Sequence, residues 1–157
     1  MTTPSLVGRR LAGFQVENPE VQIRYLTSQR VFRLEYGEAH VAIRAGSVPE
    51  EPDNVVQHLL SQRVALVGSD AYFERHGKPK SVDDLKQHFF VGPEGGSVRA
   101  PFYRWLVDHV GDQQISFRMT EQDHMASAVI AGAGLGFVSQ FVLAQTDSLT
   151  EVIPSQA

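Results

Sequence analysis

A chain of 157 residues with 42% apolar content is long enough to bury a core of about one domain's size. Its formal charge of −4 is spread without any run of lysine or arginine, which excludes a surface built to track nucleic-acid phosphates within this segment. The absence of cysteine excludes disulfides, thiolate zinc sites and a cysteine nucleophile, and no apolar run approaches the ~20 residues that a membrane span needs.

"MTTPSLVGRR" lacks the apolar stretch of a signal peptide, so the expected compartment is the cytoplasm. "SLVGRRLAGFQVENP" places Leu6, Val7, Leu11 and Phe14 at helical spacing, with Ser5 as N-cap and Asn18-Pro19 as the stop. "VQIRYL" alternates and is rich in branched and aromatic residues, which predicts a strand; Ser28 then precedes a helical stretch through Val31, Leu34 and Glu35. "HVAIRAG" predicts a second strand, so the order α-β-α-β argues for a parallel sheet covered by helices.

Two prolines in "VPEEPDNVV" interrupt regular structure, and "RVALVGS" reads as a buried strand. "SDAYFERHG" predicts a short helix capped by Ser69 or Asp70, "KPKSVDDLKQH" another opened by Ser81, and "FFVGPEGG" a strand entering a glycine loop. "APFYRWLVDHVG" is amphipathic, with Phe102, Trp105, Leu106 and Val110 on one face. "QISFRM" alternates as a strand, and "DHMASAVIAG" sets Met125, Ala128, Val129 and Gly132 along one side of a helix.

"VIAGAGLGF" carries Gly132, Gly134 and Gly136 and invites a phosphate-loop reading. A dinucleotide fingerprint needs its glycines after a strand and before a helix, where amide N–H groups face the pyrophosphate. Here a helix comes first and the strand "LGFVSQF" follows, so carbonyls would face the ligand. The glycines therefore read as punctuation: Gly132 or Gly134 as the left-handed helix terminator, Gly136 as the turn into a packed strand. None of the six histidines pairs with another ligand at metal spacing on one helix face, and no G-x-S-x-G elbow occurs. His76 reads as a helix C-terminal residue favoured by the dipole, and neither a metal nor a catalytic role is expected.

"TSQRVFRLEYGEAHVAIRAG", "SDAYFERHGKPKSVDDLKQH" and "AVIAGAGLGFVSQF", in this order and spacing, resemble the effector-binding half of LysR-type transcriptional regulators over nearly the whole chain. The resemblance implies an α/β fold of the type 2 periplasmic-binding-protein kind, with two α/β subdomains and a ligand cleft between them. Residues 1–61 would belong to the first subdomain, in part, and 62–157 to the second. It implies an effector-sensing domain that binds a small molecule, such as a carboxylate or an amino acid, without a cofactor and without catalysis. It also implies a homodimer or homotetramer that is not membrane-bound and touches DNA only through an N-terminal winged helix-turn-helix domain outside this chain. The alternatives on the same fold are a solute-binding protein of a transport system and an enzyme with an acid and base in the cleft.

Carried over by position, the resemblance lines the cleft with Thr3, Ser5 and Ser28 from the first subdomain, and with Pro93, Gln122 and Asp123 from the second. Ser5 reads equally as an ordinary N-cap, and its place at a helix N-terminus independently suits a carboxylate. Asp123 reads also as a cap for "HMASAV". Arg44, after the "VAI" run, reads either as a fork for a carboxylate or as half of a hinge ion pair. His40 before "VAIR", where the family usually has aspartate, and Ser139 after "GLGFV", where it often has proline, depart from the family pattern.

Overall fold

The structure, a computed structural model, describes residues 3–26, 32–44, 55–94 and 100–153, with the backbone alone at 3–6, 122 and 123. The chain divides into two compact units, Thr3–Leu60 and the part from Ser61 onward.

The long element of the first unit is helix α1 (Thr3–Glu17). It starts two residues before the expected cap, so Ser5 lies in the first turn rather than flanking it. Pro4 accounts for the early start, because its fixed φ is already helical and its missing N–H is one that a first turn leaves unpaired. The predicted stop at Asn18 holds: its backbone N and its Nδ2 both donate to the Phe14 carbonyl at 2.9 Å.

The strands expected at "VQIRYL" and "HVAIRAG" do not form in their described residues, 21–26 and 40–44, which have no regular secondary structure. Alternation reports which side of a chain is apolar, but a strand exists only where a neighbour accepts its backbone hydrogen bonds. Val21, Tyr25, Val41 and Ile43 are accordingly exposed. Of the second helical stretch, only a 3₁₀ turn over Leu34–Tyr36 lies among the described residues, ended by left-handed Gly37.

Among the described residues, the buried core lies in the second unit, between Ala65 and Val152. Strand β1 (Val64–Ser69) is buried at five successive residues, as expected of a strand covered on both faces. Ser69 ends it and caps helix α2 (Asp70–His76), its hydroxyl accepting from the Tyr72 N–H at 3.4 Å. The segment opened by Ser81 is a 3₁₀ turn over Asp83–Gln87 held by a reciprocal box. The Asp84 carboxylate accepts from the Lys80 and Ser81 amides, and Ser81 Oγ accepts from the Asp84 amide at 3.2 Å.

Strand β2 (Phe90–Pro93), helix α3 (Pro101–Val110), strand β3 (Ile115–Met119), helix α4 (Gln122–Ile130), strand β4 (Gly136–Ser139), helix α5 (Gln140–Leu143) and strand β5 (Leu149–Glu151) follow. β2 and β3 are parallel, from Phe90↔Ile115 to Pro93↔Met119 with a register shift after Phe90. A parallel bridge, Phe90↔Leu135, joins them to the sheet β4-β1-β5, giving the order β3-β2-β4-β1-β5. The parallel sheet expected from the sequence is thus mixed, because β1 runs antiparallel to both β4 and β5. Local pattern identifies a strand but not its neighbour, and β1 finds its partners about seventy to eighty residues downstream.

On α3 the buried residues are Tyr103, Leu106 and Val110, at i, i+3 and i+7, while Phe102 and Trp105 are half-buried on the flank. Phe102 and Tyr103 bring their rings to 4.9 and 5.5 Å from that of Phe137 on β4. Gly132 is the left-handed residue, φ 84°, that ends α4. Gly134 admits a close approach of backbones, since a Cβ there would stand 2.8 Å from the Phe89 carbonyl oxygen; one on Gly136 would stand 2.5 Å from Val129 Cγ2.

Candidate ligand-binding site

Strands that run parallel put their C-terminal ends, and the helices that follow, along one edge, where open α/β sheets bind ligands. β2 and β3 do this at Pro93 and Met119, which pair with each other, and Glu94 N donates to the Met119 carbonyl at 2.9 Å. Arg118 fixes the same end from behind. One guanidinium nitrogen donates to the Pro93 carbonyl at 3.4 Å, and the other donates to the Asp112 carbonyl at 2.9 Å and meets its carboxylate at 2.8 Å.

Two residues beyond β3 the chain enters α4 at Gln122. The Met125 N–H donates to the Glu121 carbonyl at 3.1 Å and closes the first turn, which leaves the amides of Gln122, Asp123 and His124 without an intrahelical acceptor. Glu121, at the N-cap, gives no side-chain cap bond. The structure therefore brings Pro93, Gln122 and Asp123 to one edge of the β2–β3 pair, with amide donors and the positive end of a helix dipole.

In the other unit, Thr3 and Ser5 occupy the first turn of α1. Ser28 lies outside the described residues. Arg44 follows the 41–43 coil, and its Nη2 donates to the Phe32 carbonyl at 3.0 Å, so at least one arm of the guanidinium serves the backbone. No described group of three or more His, Asp or Glu side chains is placed to hold a metal ion, and no described helix is long and apolar enough to cross a membrane.

Sequence reasoning passed over a second polar centre, away from Pro93. His88, 7% exposed, places Nδ1 3.0 Å from the hydroxyl of fully buried Tyr72. That hydroxyl also accepts from the Phe89 N–H at 3.0 Å. His76 stacks on Tyr72 with ring centroids 4.7 Å apart. Burial pushes the Tyr72 hydroxyl above its ordinary value, against the pull of the Phe89 amide and Arg75. Burial, helped by neighbouring His76, holds His88 below 6.5 against the opposing carboxylate of Asp84. The backbone amide of Lys80, above all, holds Asp84 below 3.8, with Ser81 adding to the effect. The sequence signal was the i, i+4 pair Tyr72/His76, but the sixteen-residue step to His88 is set only by the fold.

This mixed sheet with helices between its strands is the α/β architecture of the periplasmic-binding-protein-like regulatory domains. The regulatory domain of CrgA from Neisseria meningitidis superposes with a TM-score of 0.74 at 22% identity, over 97% of this chain and 76% of that one. The regulatory domain of AphB from Vibrio vulnificus does so at 0.69 and 22%, over 92% and 74%.

The profile of the LysR substrate binding domain matches residues 1–156, and the chain belongs to that family. Among curated proteins, CrgA of N. meningitidis serogroup C is 25% identical over 90% of this chain and 47% of its own length. An HTH-type transcriptional regulator of Xanthomonas campestris is 33% identical over 80% of this chain and 38% of its own. The chain thus spans half or less of the length of these relatives.

Proposed function

We propose that this chain is the effector-sensing part of a LysR-type DNA-binding transcriptional regulator, and that it binds a small carboxylate or amino acid without transforming it. The observation that carries the reading is the start of α4, where amides without an intrahelical acceptor stand beside Pro93 at the C-terminal end of parallel β2 and β3. Such a place stabilises a carboxylate by hydrogen bonds to N–H groups and by the helix dipole. Thr3 and Ser5, in the first turn of α1, offer a second set of the same kind; Ser28, Arg44, Gln122 and Asp123 complete the proposed contacts. Residues 1–61 are read as the first, partial effector-binding subdomain and 62–157 as the second.

Binding alone suffices for a switch. A ligand that prefers one arrangement of a regulator by about 5.5 kcal/mol takes a 1:99 population to 99:1. The regulator would act in the cytoplasm as a homodimer or homotetramer and reach DNA through an N-terminal helix-turn-helix domain. Relatives that are curated as HTH-type regulators favour this over a transport solute-binding protein or an enzyme.

The test is a thermal-shift panel of carboxylates, amino acids and aromatic acids on the intact regulator. Saturation at a hundredfold excess over Kd adds about 2.7 kcal/mol of stability to the liganded form. Ser5→Ala and Gln122→Ala should each weaken the hit about tenfold while leaving the unliganded melting temperature in place. A panel without a hit on a regulator that responds to one of its members in transcription, or variants that bind as tightly as the parent, would overturn the reading.

A further inference from the structure

The hydroxyl of Tyr72 works in two directions. It accepts from the Phe89 N–H, and its own proton is then free to be donated to the lone pair of His88 Nδ1. This arrangement needs His88 neutral with its proton on Nε2. A proton added at Nδ1 turns that nitrogen into a donor, so the Tyr72 hydroxyl faces two donors and its own hydrogen is left without an acceptor. The new charge also lies beside the fully buried ring of Tyr72, whose centroid is 5.7 Å from that of His88.

We propose that Tyr72–His88 is an acid-sensitive latch that holds α2 to the head of β2 while His88 is neutral and releases it when His88 is protonated. The joint is well placed for this. Phe89 gives its N–H to Tyr72 and its carbonyl accepts from the Leu135 N–H at 2.9 Å, so one residue carries both the latch and the bridge between the two parts of the sheet.

The surrounding charges set where the latch opens. His76, from α2, opposes a proton on His88, and Asp84, from the 3₁₀ turn, favours it. Arg75 acts on Tyr72 from the exposed side of α2, and the Lys86–Asp83 pair on the turn is solvent-facing. α3, packed against the turn, buries Tyr103 and Leu106 and keeps Arg104 and Asp108 exposed. The native value of His88 lies below 6.5, so the unfolded or opened chain binds the proton first. Stability is therefore complete above about pH 6.5 and is lost as pH falls through the native value.

Amide exchange of Phe89, followed by NMR and corrected for intrinsic rate, reads the latch directly in this 157-residue chain. Its protection should fall by about tenfold per pH unit across the window below 6.5, as one-proton linkage requires. His88→Asn, whose amide oxygen can take the Tyr72 proton but which does not titrate, should remove that dependence. His76→Gln should shift the window to higher pH and Asp84→Asn to lower. Tyr72→Phe, which keeps the ring, should leave Phe89 unprotected at every pH. A His88 imidazole that titrates at or above 6.5, a Phe89 protection that is flat in the parent, or an unchanged dependence in His88→Asn would each overturn the proposal. None of these outcomes bears on the ligand reading, which rests on other residues.

Discussion

Replacing Gly134 by alanine tests whether the glycines of 129–137 serve packing or a ligand. The added Cβ would stand 2.8 Å from the Phe89 carbonyl oxygen, and 3.1 and 3.2 Å from the carbonyl carbons of Phe89 and Phe90. All three are backbone atoms, so no rotamer relieves the clash. Separating the segments to ordinary contact stretches two hydrogen bonds, Leu135 N to the Phe89 carbonyl at 2.9 Å and Val91 N to the Leu135 carbonyl at 2.8 Å. Each contributes about 1 kcal/mol net when made and leaves a costlier buried group when broken, and overpacking adds about 1–3 kcal/mol. The expected loss is about 3–5 kcal/mol, or roughly 6–20 °C in melting temperature for a chain of this length. Urea unfolding followed by far-UV circular dichroism, with Trp105 fluorescence as a second probe, measures it. A phosphate loop would behave in the opposite way, keeping its stability and losing affinity for a nucleotide. A Gly134→Ala variant within about 0.5 kcal/mol of the parent, the scatter of an inconsequential substitution, would refute the packing argument.

Gly8 has nothing within 4 Å of where its Cβ would be, so Gly8→Ala in α1 should raise stability by about 0.5–1 kcal/mol in the same unfolding assay. Ser69→Ala removes the buried cap of α2 and should cost about 1–2 kcal/mol. Asp84 is held below 3.8, so its contribution is present above that pH and is lost as the solution is acidified through the native value. Asp84→Asn should flatten the acid limb of a plot of melting temperature against pH. Arg75 Nη2 donates to the Gly132 carbonyl at the C-terminal end of α4. Arg75→Glu should therefore destabilise more than Arg75→Gln, by about 0.5–1 kcal/mol at low salt and less at high salt.

The second unit was legible because each element there carries its own boundary. Ser69 caps, Gly77 and Gly132 terminate, Ser81 and Asp84 form a box, and the runs of β1, β2 and β4 are apolar enough to be buried on both faces. The first unit was not. The runs at 21–26 and 41–44 have strand composition, yet their described residues form no strand, because composition does not decide whether a chain pairs with a neighbour. Direction of pairing was equally hidden, since β1 meets β4 and β5 about seventy to eighty residues downstream, beyond the reach of local pattern. Of the candidate residues, Pro93, Gln122 and Asp123 could be placed because a strand followed by a helix fixes the edge on which both lie. Tyr72 and His88 could not, because their contact depends on how a five-residue 3₁₀ turn seats against a helix.

One helix carries the electrostatic logic of both halves of the question posed by the glycines. At its C-terminal end, where Gly132 turns the chain, α4 offers carbonyl oxygen, and what binds there is the guanidinium of Arg75, a cation in the place where a nucleotide reading would put phosphate. At its N-terminal end, one strand-to-helix step after β3, it offers amide hydrogens and the opposite partial charge. A peptide dipole has one sign per end, so an α4 that holds Arg75 at Gly132 favours an anion at Gln122 and Asp123, and the same polarity that removes the phosphate loop from the glycines supports a carboxylate beside Pro93.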